Sequence, residues 1–237
     1  MLADVLERRL VVAWQDPEKR TYHKVGYLDV FDGPAYRFRY DTEAVAKLDN
    51  FVPFPNFPDE QYIYESSELF PFFDNRVISE KRPEYSTLLR AVALGEGASP
   101  IEILARSGGG RATDTIQIFA VPVADDSGVV EFIFPTHGVR YIEGADERIE
   151  RLQPGDLLEC REDPKNEFNS EALLLVSGQP LGWVPEFLLS TVRSLTTDFG
   201  MYRLAVAAAN GPDVPFHFRL VCRLTVEDAA GWDPDSP

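Results

Sequence analysis

Few side chains in this sequence belong to types that usually do chemistry, and their spacing is poor for it. The histidines are His23, His137 and His217, and the cysteines are Cys160 and Cys222. A zinc or iron site needs such ligands in close pairs, as in C-x-x-C or H-x-x-x-H. Each of these five stands without a ligand-spaced neighbour, so no metal and no cofactor is expected. Nor does anything in the spacing support a Cys–His nucleophile pair; the two thiols read as small hydrophobes in a reducing compartment. A third candidate is the glycine run Ser107–Arg111, since glycine backbones at a helix start can cradle phosphate. No Lys-Ser/Thr follows it, and the next element, Thr115–Val121, has strand character. It reads as a turn.

Composition limits the setting in which any such residues could act. The chain has 237 residues, enough for one large domain or two ordinary ones. Its apolar content of 44% is that of a folded globular chain. The charged side chains are 39 acidic and 23 basic, a net charge of -16. That balance favours a basic partner and opposes non-specific binding to nucleic acid unless the cations share one face. The first ten residues carry charges inside their apolar part and fail as a signal peptide. No apolar run reaches the length of roughly 18 residues that a membrane span needs. A cytoplasmic protein without a membrane segment is expected.

In the N-terminal half, Leu10–Trp14 and Val25–Phe31 read as strands joined by a turn at Asp16-Pro17, with a second turn at Asp32–Pro34. Residues 35–40 then alternate cleanly, placing Tyr36, Phe38 and Tyr40 on one face and Arg37 and Arg39 on the other. A three-stranded antiparallel meander follows. Asp41 and Thr42 can cap a short helix over Glu43–Leu48. The Phe- and Pro-rich stretch 51–58 can be neither a helix nor a central strand, so it is either packed on a core or an exposed docking surface. Helical spacing of Phe70, Phe73, Val77 and Ile78 follows Ser66–Glu68. Further helices are expected over Glu84–Ala93 and from Ser99-Pro100 through Leu104, before the strand at Thr115–Val121.

Taken in order, residues 10–121 resemble the small N-terminal subdomain that precedes the kinase core in HipA-like serine/threonine kinase toxins. The matching pieces are Val25–Leu28, Tyr36–Tyr40, the Pro-rich stretch, Leu69-Phe70-Pro71-Phe72-Phe73-Asp74-Asn75, and the Ile101–Ala105 helix with Gly108–Gly110. One departure is Arg76-Val77-Ile78-Ser79, where such proteins continue with a Leu-Leu-Pro-like turn. The sequence holds no nucleotide-binding loop with a catalytic Lys, no Asp-x-x-x-x-Asn catalytic loop and no metal-binding Asp after a strand, all of which a kinase requires. The resemblance therefore implies the form that lacks the kinase core (HipS-like), an antitoxin to a shortened kinase rather than an enzyme. Trp14, Phe57, Phe70, Phe72 and Phe73 are the aromatic side chains expected to meet that partner.

The C-terminal half reads as many short strands with regular turns. Val129–Phe134, Leu157–Glu162, Ala172–Val176, Leu181–Pro185, Tyr202–Ala209 and Phe216–Val226 are strands, with a bend at Thr136–Tyr141, a Pro-Gly turn at Leu152–Asp156 and one helix over Glu186–Ser194. Such a pattern argues a small β-barrel. Gly138-Val139-Arg140-Tyr141 with Gly144, Leu152-x-Pro154-Gly155-Asp156, Arg161-Glu162, Asn166-x-Phe168 and Leu181-Gly182-Trp183-Val184-Pro185 resemble a HIRAN domain over residues 129–226. In helicase-associated members that domain grips the 3′ end of single-stranded DNA. The resemblance implies contacts from Arg140, Tyr141 and Phe168, with Arg161, Lys165 and Asn169 completing a small basic-aromatic site. Asn169-Ser170-Glu171-Ala172 departs from the family's acidic-x-Asn-Ala, and Glu171 would repel phosphate if it faced the site.

The expected fold is thus α+β: a HipA N-terminal-subdomain-like domain at 1–123, a linker at 124–128, a HIRAN-like barrel at 129–228 and an acidic tail at 229–237. The expected function is a non-catalytic partner of a HipA-like kinase, carrying a module for DNA ends. The alternative is a nucleic-acid end binder in DNA repair or phage defence, with the N-terminal half as scaffold. An enzyme with converging titratable side chains in a pocket is a third option, which only a structure can address.

Overall fold

In a computed structural model, the structure describes residues 6–32, 35–111, 114–197 and 201–232. The expected turn at Gly33-Pro34 and the acidic residues 233–237 lie outside them. The chain forms two compact units, and they are not contiguous in sequence. The first takes residues up to 79 together with 98–121; the second takes 80–97 together with everything from 122 onward.

The first unit is built on the meander that alternation predicts. Strands β1 (Leu6–Gln15), β2 (Tyr22–Phe31) and β3 (Ala35–Tyr40) pair antiparallel, with Leu10 opposite Leu28 and Leu28 opposite Phe38. Asp41 accepts the Ala44 N–H and starts helix α1 (Thr42–Val45), one turn shorter than expected. A three-residue strand, β4 (Tyr64–Ser66), adds to β3, and β5 (Ile116–Ala120) adds to β1, giving the order β4-β3-β2-β1-β5. Helical spacing around Phe70 yields only one turn, α2 (Pro71–Asp74). Helix α3 (Tyr85–Ala91) leaves for the second unit. Helix α4 (Pro100–Ser107) returns under a capping box: Ser99 Oγ accepts the Glu102 N–H while the Glu102 carboxylate accepts the Ser99 N–H. Gly108, left-handed at φ 74°, ends it.

Phe38 sits at the centre of this unit's core, with Tyr40, Phe54, Phe57 and Phe73 around it at ring-centroid distances of 4.3–6.3 Å. The Phe- and Pro-rich stretch is thereby packed, not a loose surface. Tyr40 fastens it twice, donating its hydroxyl to the Phe57 carbonyl (2.9 Å) and accepting the Phe54 N–H (2.7 Å). Burial holds that phenol well above its usual pKa. Arg76, whose side chain is only 3% exposed, makes the start of the Arg76–Ser79 stretch a polar anchor. It stacks on Phe72, donates to the Gly109 carbonyl and pairs both oxygens of Asp114, so it fixes the glycine turn after α4.

The second unit holds two three-stranded antiparallel sheets. In one, β10 (Tyr202–Ala209), β11 (Leu220–Val226) and β6 (Val130–Pro135) lie in that order; in the other, β7 (Glu159–Glu162), β8 (Leu173–Ser177) and β9 (Gln179–Trp183) do. Single bridges, His137↔Trp183 and Leu157↔Ala205, link the sheets, and no continuous ladder closes a barrel among the described residues. Gly155, at φ 95°, makes the expected Pro-Gly turn before Leu157. A helix that the sequence did not suggest, α5 (Ala145–Ile149), buries Ala145 and Ile149. Beyond β9 the expected helix is a 3₁₀ turn at Glu186–Leu188 running into α6 (Leu189–Thr197).

Helix α3 packs in this second unit: Ala91 and Val92 cluster with Val214 and Phe218. The expected 1–123 domain therefore lacks residues 80–97, because the apolar face of α3 is buried with residues more than a hundred positions away. The 229–237 tail also differs from expectation at its start. Ala229 is buried, and Trp232 donates its indole N–H to Ser194 of α6 (2.8 Å), so this tryptophan anchors on its own chain.

Candidate nucleic-acid interface

Two loops of the second unit carry the residues to which the DNA-end reading points. The first follows β6. Thr136 is fully buried, and His137 exchanges backbone hydrogen bonds with Trp183 (2.9 and 2.8 Å). Gly138 then turns the chain at φ 75°, where a side chain would strike the Trp183 ring. A 3₁₀ turn, Val139–Tyr141, follows, with Val139 buried and its two successors outward. Tyr141 is 70% exposed, and the Arg140 guanidinium lies 4.7 Å over its ring and donates to its hydroxyl. A cation held against an aromatic face in this way offers one flat stacking surface and one positive charge. Arg140 has no carboxylate partner among the described residues.

The second loop joins β7 to β8. Asn166 Oδ1 accepts the N–H groups of Phe168 (3.0 Å) and Asn169 (3.1 Å), an Asx turn that fixes the loop tip. Phe168 stands on that tip at 96% exposure. Such exposure is costly for a large aromatic, about 2–3 kcal/mol relative to burial. Asn169 accepts the Glu171 N–H with its side-chain oxygen (2.8 Å), so its amide N–H groups are its free donors toward a ligand. From α6, Arg193 donates to the Glu171 carbonyl and pairs with Glu162, closing the base of the loop.

The remaining predicted cations differ from each other. Arg161 and Glu159 sit two apart on β7, hence on one face, and the guanidinium is occupied by that carboxylate. Arg161 thus meets a competing carboxylate, held only by an exposed pair, wherever it meets a phosphate. Lys165 is exposed and has no ion pair among the described residues. Carboxylates crowd the same stretch at Glu159, Glu162, Asp163, Glu167 and Glu171. The surface is therefore an aromatic and cationic point within an acidic surround, rather than a basic groove.

The aromatic residues expected to meet a protein partner also separate. Phe57 and Phe73 are core residues of the first unit, 1% and 0% exposed, and cannot touch a partner while that core is intact. Trp14, Phe70 and Phe72 are half-buried: Trp14 meets Phe51 edge-on, Phe70 meets Phe57 edge-on, and Phe72 stacks on Phe54.

Burial sets the protonation of three side chains that could serve as nucleophile or base. Burial pushes the Cys160 thiol up to about 11 and the Cys222 thiol up to about 12, far from the thiolate a nucleophile needs. Cys222 Sγ shares a hydrogen bond with Thr136 Oγ1 at 3.4 Å, inside the core. Burial, with a smaller contribution from His217, pushes the His137 imidazole down to about 4. No cluster of three His, Cys, Asp or Glu side chains suited to a metal occurs among the described residues.

Gly138 and Asn166 belong to the motifs read in the sequence, but what they support, the Trp183 ring and the Phe168 turn, was not foreseen, and Asp163 was read only as part of a loop. The pattern Asn166-x-Phe168-Asn169 carried a usable signal, since Asx turns cap the N–H groups two and three residues on. Nothing local marks Asp163 as the acceptor of the Trp183 indole N–H (3.0 Å). No known protein-family model matches the chain, and neither does any curated protein.

Proposed function

We propose that this chain is a non-catalytic, cytoplasmic binding protein whose second unit, HIRAN-like in its order of motifs, takes the 3′ end of single-stranded DNA at Arg140, Tyr141 and Phe168. The observation that carries this reading is Phe168, held outward by an Asx turn at 96% exposure. A fixed, exposed ring on one loop, with a second ring and a guanidinium free of any described carboxylate on another loop of the same unit, offers the kinds of group that a base and a phosphate need. The two bridges that join the sheets at His137↔Trp183 and Leu157↔Ala205 support a barrel-like arrangement of the HIRAN kind.

The charge of the chain sets the character of that binding. With a net charge of -16, it repels an extended polyanion, so selectivity for an end follows from having few cations in one place. Two phosphate contacts, from Arg140 and Lys165, give a slope of about -1.4 in log affinity against log salt. The test is fluorescence anisotropy with a short oligothymidine carrying either a free or a blocked 3′ hydroxyl. Phe168→Ala weakens binding by roughly 5- to 150-fold, the range for loss of one stacked base. Equal affinity for free and blocked ends, or no effect of Phe168→Ala, refutes the reading.

A second reading applies to the first unit. Its resemblance to the HipA N-terminal subdomain, and the partly exposed rings of Trp14, Phe70 and Phe72, favour docking to a HipA-like kinase with a basic face. The whole protein would then be an antitoxin-like or regulatory partner. Pull-down from the native host after nuclease treatment tests this: recovery of such a kinase supports it, and its absence leaves a DNA-end protein of repair or phage defence.

A further inference from the structure

Both loops of the candidate interface end on one side chain. Gly138 lies directly against the six-membered ring of Trp183; a Cβ built on it would stand 2.5 Å from Cε3 and 2.8 Å from Cζ3. At the other end of the indole, Nε1–H donates to Asp163 Oδ2 at 3.0 Å. The same oxygen accepts from Asn166 Nδ2 (3.4 Å), and the Asn166 oxygen holds the Phe168 and Asn169 N–H groups. A continuous set of contacts therefore runs from the Arg140–Tyr141 turn, through the indole, to the loop that presents Phe168.

We propose that Trp183 is a positioning residue that holds the two loops in one fixed relation, so that loosening its bond to Asp163 loosens the Arg140–Tyr141 turn as well as the Phe168 loop. The physical reason lies in the freedom of the ring. Backbone pairing with His137 fixes the Trp183 main chain but not its side-chain torsions. The N–H bond to Asp163 supplies the second fixed point, and the ring then forms the surface on which Gly138 turns. Without that bond the indole rocks, and the turn loses its support. Its consequence for ligand binding rests on the DNA-end reading of this unit; the mechanical coupling does not.

Hydrogen–deuterium exchange on the full chain separates the two. In Asp163→Ala and in Trp183→Phe, which keeps an aromatic ring but removes the N–H, exchange speeds up at Tyr141 and Ile142 as well as at Phe168 and Asn169. Asn210→Ala serves as the control, since it weakens the same unit elsewhere and leaves residues 138–142 unchanged relative to 163–169. If Asp163→Ala accelerates only its own loop, the proposal is overturned, whatever the protein binds. In the same samples, wild-type binding of oligothymidine with a loss of about tenfold in both variants extends the coupling to function. A wild type that binds no oligothymidine sinks the DNA-end reading alone, and the exchange result still decides the role of Trp183.

Discussion

Asn210 donates its side-chain amide to the carbonyls of Ala91 (2.9 Å) and Phe218 (2.6 Å), joining residues 119 apart in sequence. Through this bond the end of α3 is fastened into the second unit beside the apolar cluster of Val92, Val214 and Phe218. Removing a donor from two carbonyls at once leaves both without their partner, at about 1–3 kcal/mol. Asn210→Ala should lower the urea midpoint of the second unit with little change in slope. A fragment beginning at residue 122 lacks α3 and exposes that cluster; it should unfold at lower urea than residues 80–97 and 122–237 joined by a flexible linker. Equal midpoints would show that α3 contributes nothing.

The pair Arg76–Asp114 is unequal: the guanidinium side chain is 3% exposed and the carboxylate 31%. Loss of the carboxylate strands a buried charge, whereas loss of the guanidinium leaves a carboxylate that water can reach. Asp114→Ala should therefore cost roughly 2–4 kcal/mol, more than Arg76→Met, and the double variant should recover part of the loss. Thermal or urea unfolding of the three variants measures this. A Met variant worse than the Ala variant would contradict it, and would mean that stacking on Phe72 and the bond to Gly109 outweigh the charge.

His137 gives the second unit a pH dependence whose sign is fixed. Its pKa falls from 6.5 to about 4 on folding, because burial disfavours the imidazolium. The unfolded chain binds the proton between those values and the folded chain does not, so stability falls as pH drops through that window. None of this stability is lost above about pH 6.5, and the loss grows to roughly 3 kcal/mol by pH 4. His217 is lowered by burial as well and acts in the same direction. Subtracting the stability of His137→Gln from that of the wild type across pH 4–7 isolates the effect from the carboxylates. A flat difference would mean that His137 meets solvent freely.

The sequence was most legible where one residue pattern has one physical solution. Tyr36, Phe38 and Tyr40 alternate, and only a strand puts them on one face; Ser99-Pro100 with Glu102 makes a capped helix start almost unavoidable. The allegiance of α3 was hidden, because Leu89 and Val92 announce an apolar face without saying what covers it. The Phe and Pro stretch was ambiguous for a similar reason. Aromatic rings serve a core and an interface equally well, and only the hydroxyl of Tyr40, reaching Phe54 and Phe57, decided between them. In the candidate interface the residue types were legible and their commitments were not: Arg161 is occupied by Glu159, and Asn169 by its own turn.

The excursion of residues 80–97 also constrains how this chain can be recombined. The backbone passes between the units at 79/80, 97/98 and 121/122, so no single cut separates them into complete bodies. A gene exchanged at one crossover near residue 122 would hand each product an unfinished half: one carrying an orphan helix, the other an uncovered apolar face. Each unit is therefore complete only in a chain that keeps all three crossings together.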